Sequence, residues 1–125
     1  MATYVDDVLR DAWLGALSSV NELHITNGVV TSYAGLATAT LGKKTAPTIG
    51  PVGDANPNGR KRTVAAFGDG DVTANSGSNQ ADHWCLVDTT NSRVLVSGQL
   101  SASQVTYEVN TFSMSSFDIR NPDQA

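Results

Sequence analysis

The twenty residues ADHWCLVDTTNSRVLVSGQL, positions 81–100, decide the fold. They read as two apolar strands joined by a polar turn, TTNS at 89–92. Neighbouring side chains on a strand point to opposite faces. His83, Cys85 and Val87 therefore share one face, while Trp84 and Leu86 share the other. Beyond the turn, Val94 and Val96 oppose Leu95. Both faces are apolar, so both need cover, and the rest of the chain has to provide it.

A length of 125 residues suits a single domain, expected to span 1–125 and to bury a real core. Only 16% of the residues are charged, and Gly, Ser, Thr and Asn fill the gap, as in β-rich proteins with many turns. A net charge of −4 argues against a nucleic-acid-binding protein. The single cysteine, Cys85, excludes an internal disulfide and sits mid-strand, where a buried inert thiol is expected. No apolar run approaches the ~20 residues needed to span a bilayer, so no membrane partner is expected. Asp6, Asp7 and Asp11 stand where a secretory leader is basic, which places synthesis and assembly in the cytoplasm.

Residues 3–20 predict the one helix. Val5, Val8, Leu9, Ala12, Trp13, Ala16, Leu17 and Val20 recur at helical spacing, and Thr3 with Asp6 resembles a capping box. Leu14 breaks that stripe and falls on the polar side with Asp7, Arg10 and Ser18, which makes it a candidate partner contact. Beyond the helix the period becomes two. ELHIT at 22–26 leads through the Asn27-Gly28 turn into a strand expected at 29–33. Residues 34–62, rich in Pro and Gly, read as an irregular excursion with one or two short strands at most. Strands are expected at 63–67 and 71–74 around the GDGD turn, a loop at 75–80, and a half-exposed strand at 105–109. In the last stretch Phe112 and Met114 share one phase, Phe117 and Ile119 the other. The switch at Ser115-Ser116 implies a bulge or a crossing between sheets. The expected fold is mainly β: a two-sheet antiparallel sandwich or jelly-roll-like barrel, with the N-terminal amphipathic helix packed on a sheet.

Catalytic chemistry finds little material. His24 and His83 lie on strands with no ligand at metal spacing, and read as structural histidines. DGDVTAN at 69–75 lacks the glycine and terminal glutamate of a calcium loop. There is no nucleophile elbow, no assignable pair of catalytic carboxylates and no phosphate-binding glycine loop. The chain is therefore expected to be no enzyme, with no cofactor, metal or small-molecule substrate. Charge is distributed unevenly, however. Lys43, Lys44, Arg60, Lys61 and Arg62 are five of the eight basic residues, with Asp54 the only acid among them. This segment reads either as a solvated loop or as a proline-stiffened basic arm that docks on an acidic surface. Its lack of aromatics speaks against nucleic acid.

The C-terminal part also carries a set of short motifs: His83-Trp84, LVD at 86–88, NSR at 91–93, SGQLS at 97–101, NTF at 110–112, FDI at 117–119 and PD at 122–123. Together they resemble small virion proteins encoded in the head-gene region of tailed bacteriophages and prophages. YAGLATATLG at 33–42 and NPNGRKRTVAA at 56–66 fit the same pattern more loosely. The resemblance implies a structural component of a virion, foremost a capsid decoration or cement protein on the outside of the shell. Its partners would be the major capsid protein and copies of itself. A tail, neck or fibre-associated virion protein is the alternative, and a carbohydrate-binding module using Trp84, Tyr33 or Tyr107 is a further one.

Overall fold

The computed structural model describes residues 14–54 and 60–121. Nine strands run through them: β1 (Glu22–Thr26), β2 (Thr40–Thr45), β3 (Gly53–Asp54), β4 (Arg60–Val64), β5 (Phe67–Val72), β6 (Ala81–Asp88), β7 (Arg93–Gln104), β8 (Thr111–Met114) and β9 (Phe117–Asn121). All pairings are antiparallel. One sheet has six strands in the order β7-β6-β1-β2-β5-β8, and the other has three, β3-β4-β9. Neither closes into a barrel. The chain divides into two compact units. One, Val20–Pro47 with Phe67–Met114, carries the large sheet, and the remaining described residues carry the small one.

The 81–100 stretch forms the expected hairpin, β6 and β7. Asp88 closes its turn, accepting the Asn91 backbone N–H at 3.2 Å and the Asn91 side-chain amide at 2.7 Å. β1 lies on the other side of β6, with His24 opposite Cys85 and Glu22 opposite Val87. The cover for this face comes from the β1–β2 connection. Val30 and Leu36 bury themselves against Cys85 and Val87, and Ala39 and Val94 pack at the edge of the cluster. Residues 29–33 are accordingly not the expected strand. The chain turns at Gly28, whose φ of 84° is easy only for glycine, and its N–H donates to Asp82 at 2.7 Å. It then winds through a 3-10 turn (Tyr33–Gly35) and a short helical turn (Leu36–Ala39) that deliver Leu36 to the sheet.

On the opposite face, Leu23, Ile25 and Leu86 are buried and Trp84 is half-buried. Two glycines make room for its aromatic rings. A Cβ on Gly98 would sit 2.5 Å from the Trp84 ring, and one on Gly70 would sit 2.5 Å from the Phe112 ring. The GDGD run is thus not a turn but the body of β5, left without side chains at Gly70 so that Phe112 of β8 can lie over it. Phe67 meets Phe112 edge-on at 5.5 Å.

The N-terminal helix is not supported as expected. Residues 3–13 lie outside the described residues, Trp13 among them. The described end is a short helical stretch closing in a 3-10 turn, Ala16–Ser19. Leu14 is fully buried rather than on a polar surface. The 34–62 excursion contains far more strand than expected, because β2 lies in the interior of the large sheet and β4 is the middle strand of the small one. Their run of Lys, Arg and Thr hides the strand alternation. Residues 105–109 are a loop, not a strand. The phase switch at Ser115-Ser116 marks a passage between sheets: β8 ends in the large sheet and β9 begins in the small one.

Candidate functional site

The sequence placed the binding potential in a basic arm, and the structure distributes that arm over both units. Lys43 and Lys44 lie on β2, while Arg60, Lys61 and Arg62 lie on β4. Each has an internal partner. Lys43 Nζ is 4.0 Å from Glu22, and Lys44 Nζ is 2.9 Å from Asp69 and 5.9 Å from the Phe67 ring centroid. Arg60 pairs with Asp54 at 2.6 Å and Lys61 with Asp118 at 3.4 Å. These partners hold the Asp69 and Asp118 carboxyls below their ordinary range: Asp69 chiefly through the Lys44 hydrogen bond, Asp118 chiefly through a hydrogen bond from Thr63. Arg62 is buried. Its Nε donates to Gly50 O at 2.8 Å, and its terminal nitrogens donate to Ser18 Oγ at 2.9 Å, Leu14 O at 3.3 Å and Ile49 O at 3.5 Å. Burial takes Arg62 and Leu14 off any docking surface, and binds them to each other instead.

What the sequence reading missed is the loop from β7 to β8. Thr106 is its buried anchor. The Thr106 N–H donates to Ser76 Oγ at 2.9 Å, its hydroxyl donates to Ala74 O at 2.9 Å, and its carbonyl accepts the Ser76 N–H at 3.0 Å. Glu108 N–H donates to Asn75 Oδ1 at 2.8 Å, and Asn110 N–H donates to Tyr107 O at 3.3 Å. Residues 74–76 thereby fix the 105–110 loop at Thr106 and Glu108. The side chains between these anchors point outward: Val105 is 48% exposed, Tyr107 62% and Val109 97%. Val109 also has φ of 65°. A β-branched residue pays about 1–2 kcal/mol there, and the third position of such a turn normally takes Gly or Asn. The V-T-Y-E-V alternation was the available signal, but its phase is inverted: the apolar side chains face solvent and the threonine faces in.

A concavity lies on the large sheet. Glu22, His24, Tyr33, Leu36, Ala37, Thr40, Lys43, Thr73 and Ala74 line a cleft of about 440 Å³. Glu22 and His24 alternate onto one face of β1, and pairing brings Lys43 beside His24. Both His24 ring nitrogens are engaged, Nε2 with Glu22 Oε1 at 2.7 Å and Nδ1 with Thr40 Oγ1 at 2.9 Å. The Thr40 hydroxyl also reaches Leu36 O at 2.8 Å, and it has one proton for the two acceptors. Burial pushes the His24 pKa below 6.5, opposed by Glu22. At neutral pH the ring therefore carries its proton on Nε2 toward Glu22, and the Thr40 hydroxyl donates to Nδ1. Leu36 O keeps the Thr40 backbone N–H. Neighbouring Cys85 is an inert thiol, its pKa pushed up to about 12 by burial. Among the described residues no three metal-ligating side chains cluster, and no helix is long and apolar enough to cross a membrane.

Comparison with protein-family models, curated proteins and solved structures returns no match.

Proposed function

We propose that this protein is a non-enzymatic assembly component, a virion decoration protein that docks on the major capsid protein through the 105–109 loop. The observation that carries the docking reading is the exposure of Val105, Tyr107 and Val109 on a loop held rigid by its hydrogen bonds to 74–76. Isolated apolar residues on a surface mean little, but three on one pre-ordered loop, one of them strained, are costly to keep without a partner. A rigid loop also loses little entropy when it is bound. The virion assignment rests on the sequence resemblance.

Strand addition is the competing mode of docking, and the edges of the large sheet discourage it. β7 is an open edge among the described residues, but it carries one extra residue opposite Leu86-Val87 and three opposite 81–83. Bulges of this kind twist an edge away from flat pairing. β8, at the other edge, has four residues. The loop is the better-formed contact.

The test is co-sedimentation of the purified protein with shells that lack it. Binding that saturates at many copies per shell, and that Tyr107→Ser with Val109→Asp abolishes while the fold melts normally, supports the reading. A single ring of copies at a vertex or on the tail points instead to a neck or tail protein. Normal binding by the double variant removes the loop from the contact.

A further inference from the structure

The cleft beside His24 has a composition that docking does not use. Its lining residues combine one carboxylate (Glu22), one ammonium (Lys43), three hydroxyls (Tyr33, Thr40, Thr73) and the small apolar surfaces of Ala37 and Ala74. The two charges balance. His24 adds none at neutral pH, since burial favours its uncharged ring. An anionic ligand would meet the Glu22 carboxylate and a cationic one the Lys43 ammonium, each without a surplus of opposite charge. A purely apolar ligand would strip water from these polar groups without replacing their hydrogen bonds, at a cost that small ligands rarely recover. A neutral molecule that both donates and accepts hydrogen bonds over its whole surface avoids all three penalties.

The cleft's volume, about 440 Å³, falls within the range of small-ligand sites. Tyr33 supplies the remaining element. It is 37% exposed and opens the 3-10 turn, which Ser32 fixes by accepting the Gly35 N–H at 3.3 Å. Its backbone is therefore held at the rim of the cleft, and its ring adds an apolar face to a lining of polar groups. The hydrogen-bonding side chains are likewise held in place. Glu22 is fixed by His24, and His24 by Thr40.

We propose that the cleft lined by Tyr33, Glu22, Thr40, Lys43 and Thr73 binds a neutral sugar unit, its apolar ring face against Tyr33 and its hydroxyls shared between Glu22 and Lys43. No residue of the 105–109 loop lines the cleft, so a decoration protein carrying it would both hold a shell and touch a glycan.

The full chain is titrated with glucose, galactose, mannose and N-acetylglucosamine, and with glucosamine and galacturonate as charged controls, by backbone-amide NMR. The expected result is saturable binding of at least one neutral sugar, with shifts centred on Tyr33, Lys43 and Thr73. Tyr33→Ala and Lys43→Met should each weaken it about tenfold, the value of one lost contact. Tyr107→Ser, at the docking loop, should leave it unchanged. Both cleft residues are partly exposed, and an unchanged amide spectrum elsewhere verifies that the variants fold. The inference is overturned if no neutral sugar gives saturable shifts, if a charged control binds more tightly, or if Tyr33→Ala binds like the wild type.

Discussion

Replacing Arg62 with methionine tests whether the basic cluster serves the fold or a partner. Methionine keeps the apolar stem as far as the Nε position and removes every donor. Two of the four hydrogen bonds are short, to Gly50 O at 2.8 Å and Ser18 Oγ at 2.9 Å. The contacts to Leu14 O and Ile49 O are longer and weaker, at 3.3 and 3.5 Å. A hydrogen bond to a charged donor is worth about 1.5–3 kcal/mol, and a buried acceptor left bare costs about as much. With water re-entering at part of the site, the two short bonds alone set the loss at about 3–4 kcal/mol. For a chain of this size that lowers the melting temperature by about 10–15 °C. Lys43→Met is the control, because that ammonium is well exposed and 4.0 Å from its carboxylate. It should cost under about 1 kcal/mol. Arg62→Lys keeps the charge but not the fork, and should recover less than half of the loss. Thermal melts by circular dichroism decide the matter. If Arg62→Met melts within a few degrees of Lys43→Met, the guanidinium is not holding Leu14 and Ser18 to β4, and a role at a partner surface reopens.

Other predictions follow from the same contacts. His24 has a folded pKa below 6.5, so its contribution to stability is present above pH 6.5 and is lost as pH falls through the folded value. Side-chain NMR should show His24 titrating below 6.5, and Glu22→Gln should lower it further, because Glu22 is what raises it; a rise refutes the assignment. Cys85 has the opposite sense: its folded pKa is raised from 9.0 to about 12, so stability should decline as pH climbs through that interval, and Cys85→Ala should flatten the decline. Gly98→Ala should cost about 1–3 kcal/mol, since a Cβ there meets the Trp84 ring at 2.5 Å, and Trp84 fluorescence should shift; an unchanged melt shows that the ring moves freely. Val109→Asn should stabilise the isolated protein by about 1 kcal/mol through relief of its positive φ, while weakening attachment to shells. Loss of stability in that variant would mean that Val109 is needed by the fold.

The elements legible in the sequence are those whose side chains face neighbours of their own kind. The β6–β7 hairpin shows itself through apolar alternation and the TTNS turn, and the β8-to-β9 passage through the phase of Phe112, Met114, Phe117 and Ile119. β2 and β4 stay hidden because TLGKKT and RKRTV carry charge into the sheets, and their compensation lies far away in sequence. Lys44 finds Asp69 and Lys61 finds Asp118 only after the strands have paired. A local window sees five cations and reads a solvated loop or a docking arm. It cannot see that Gly42 is required because a Cβ would come 2.9 Å from Asp71 O.

The site follows the same rule. His24 and Glu22 are two residues apart and visibly share a face, but Thr40 and Lys43 come from β2, which periodicity does not reveal, and Thr73 follows β5. For the 105–109 loop the pattern was visible and its sense was inverted. Alternation reports that one face is buried, and burial by hydrogen bonding looks the same in sequence as burial by packing. Here Thr106 turns inward because Ala74 and Ser76 offer it an acceptor, a donor and a hydroxyl. The valines and the tyrosine are left outside as a consequence. The five cations of the 43–62 segment are engaged within the fold, while the 105–109 loop leaves Val105, Tyr107 and Val109 to solvent. If attachment runs through that loop, it should hold at high salt, where a basic arm would let go.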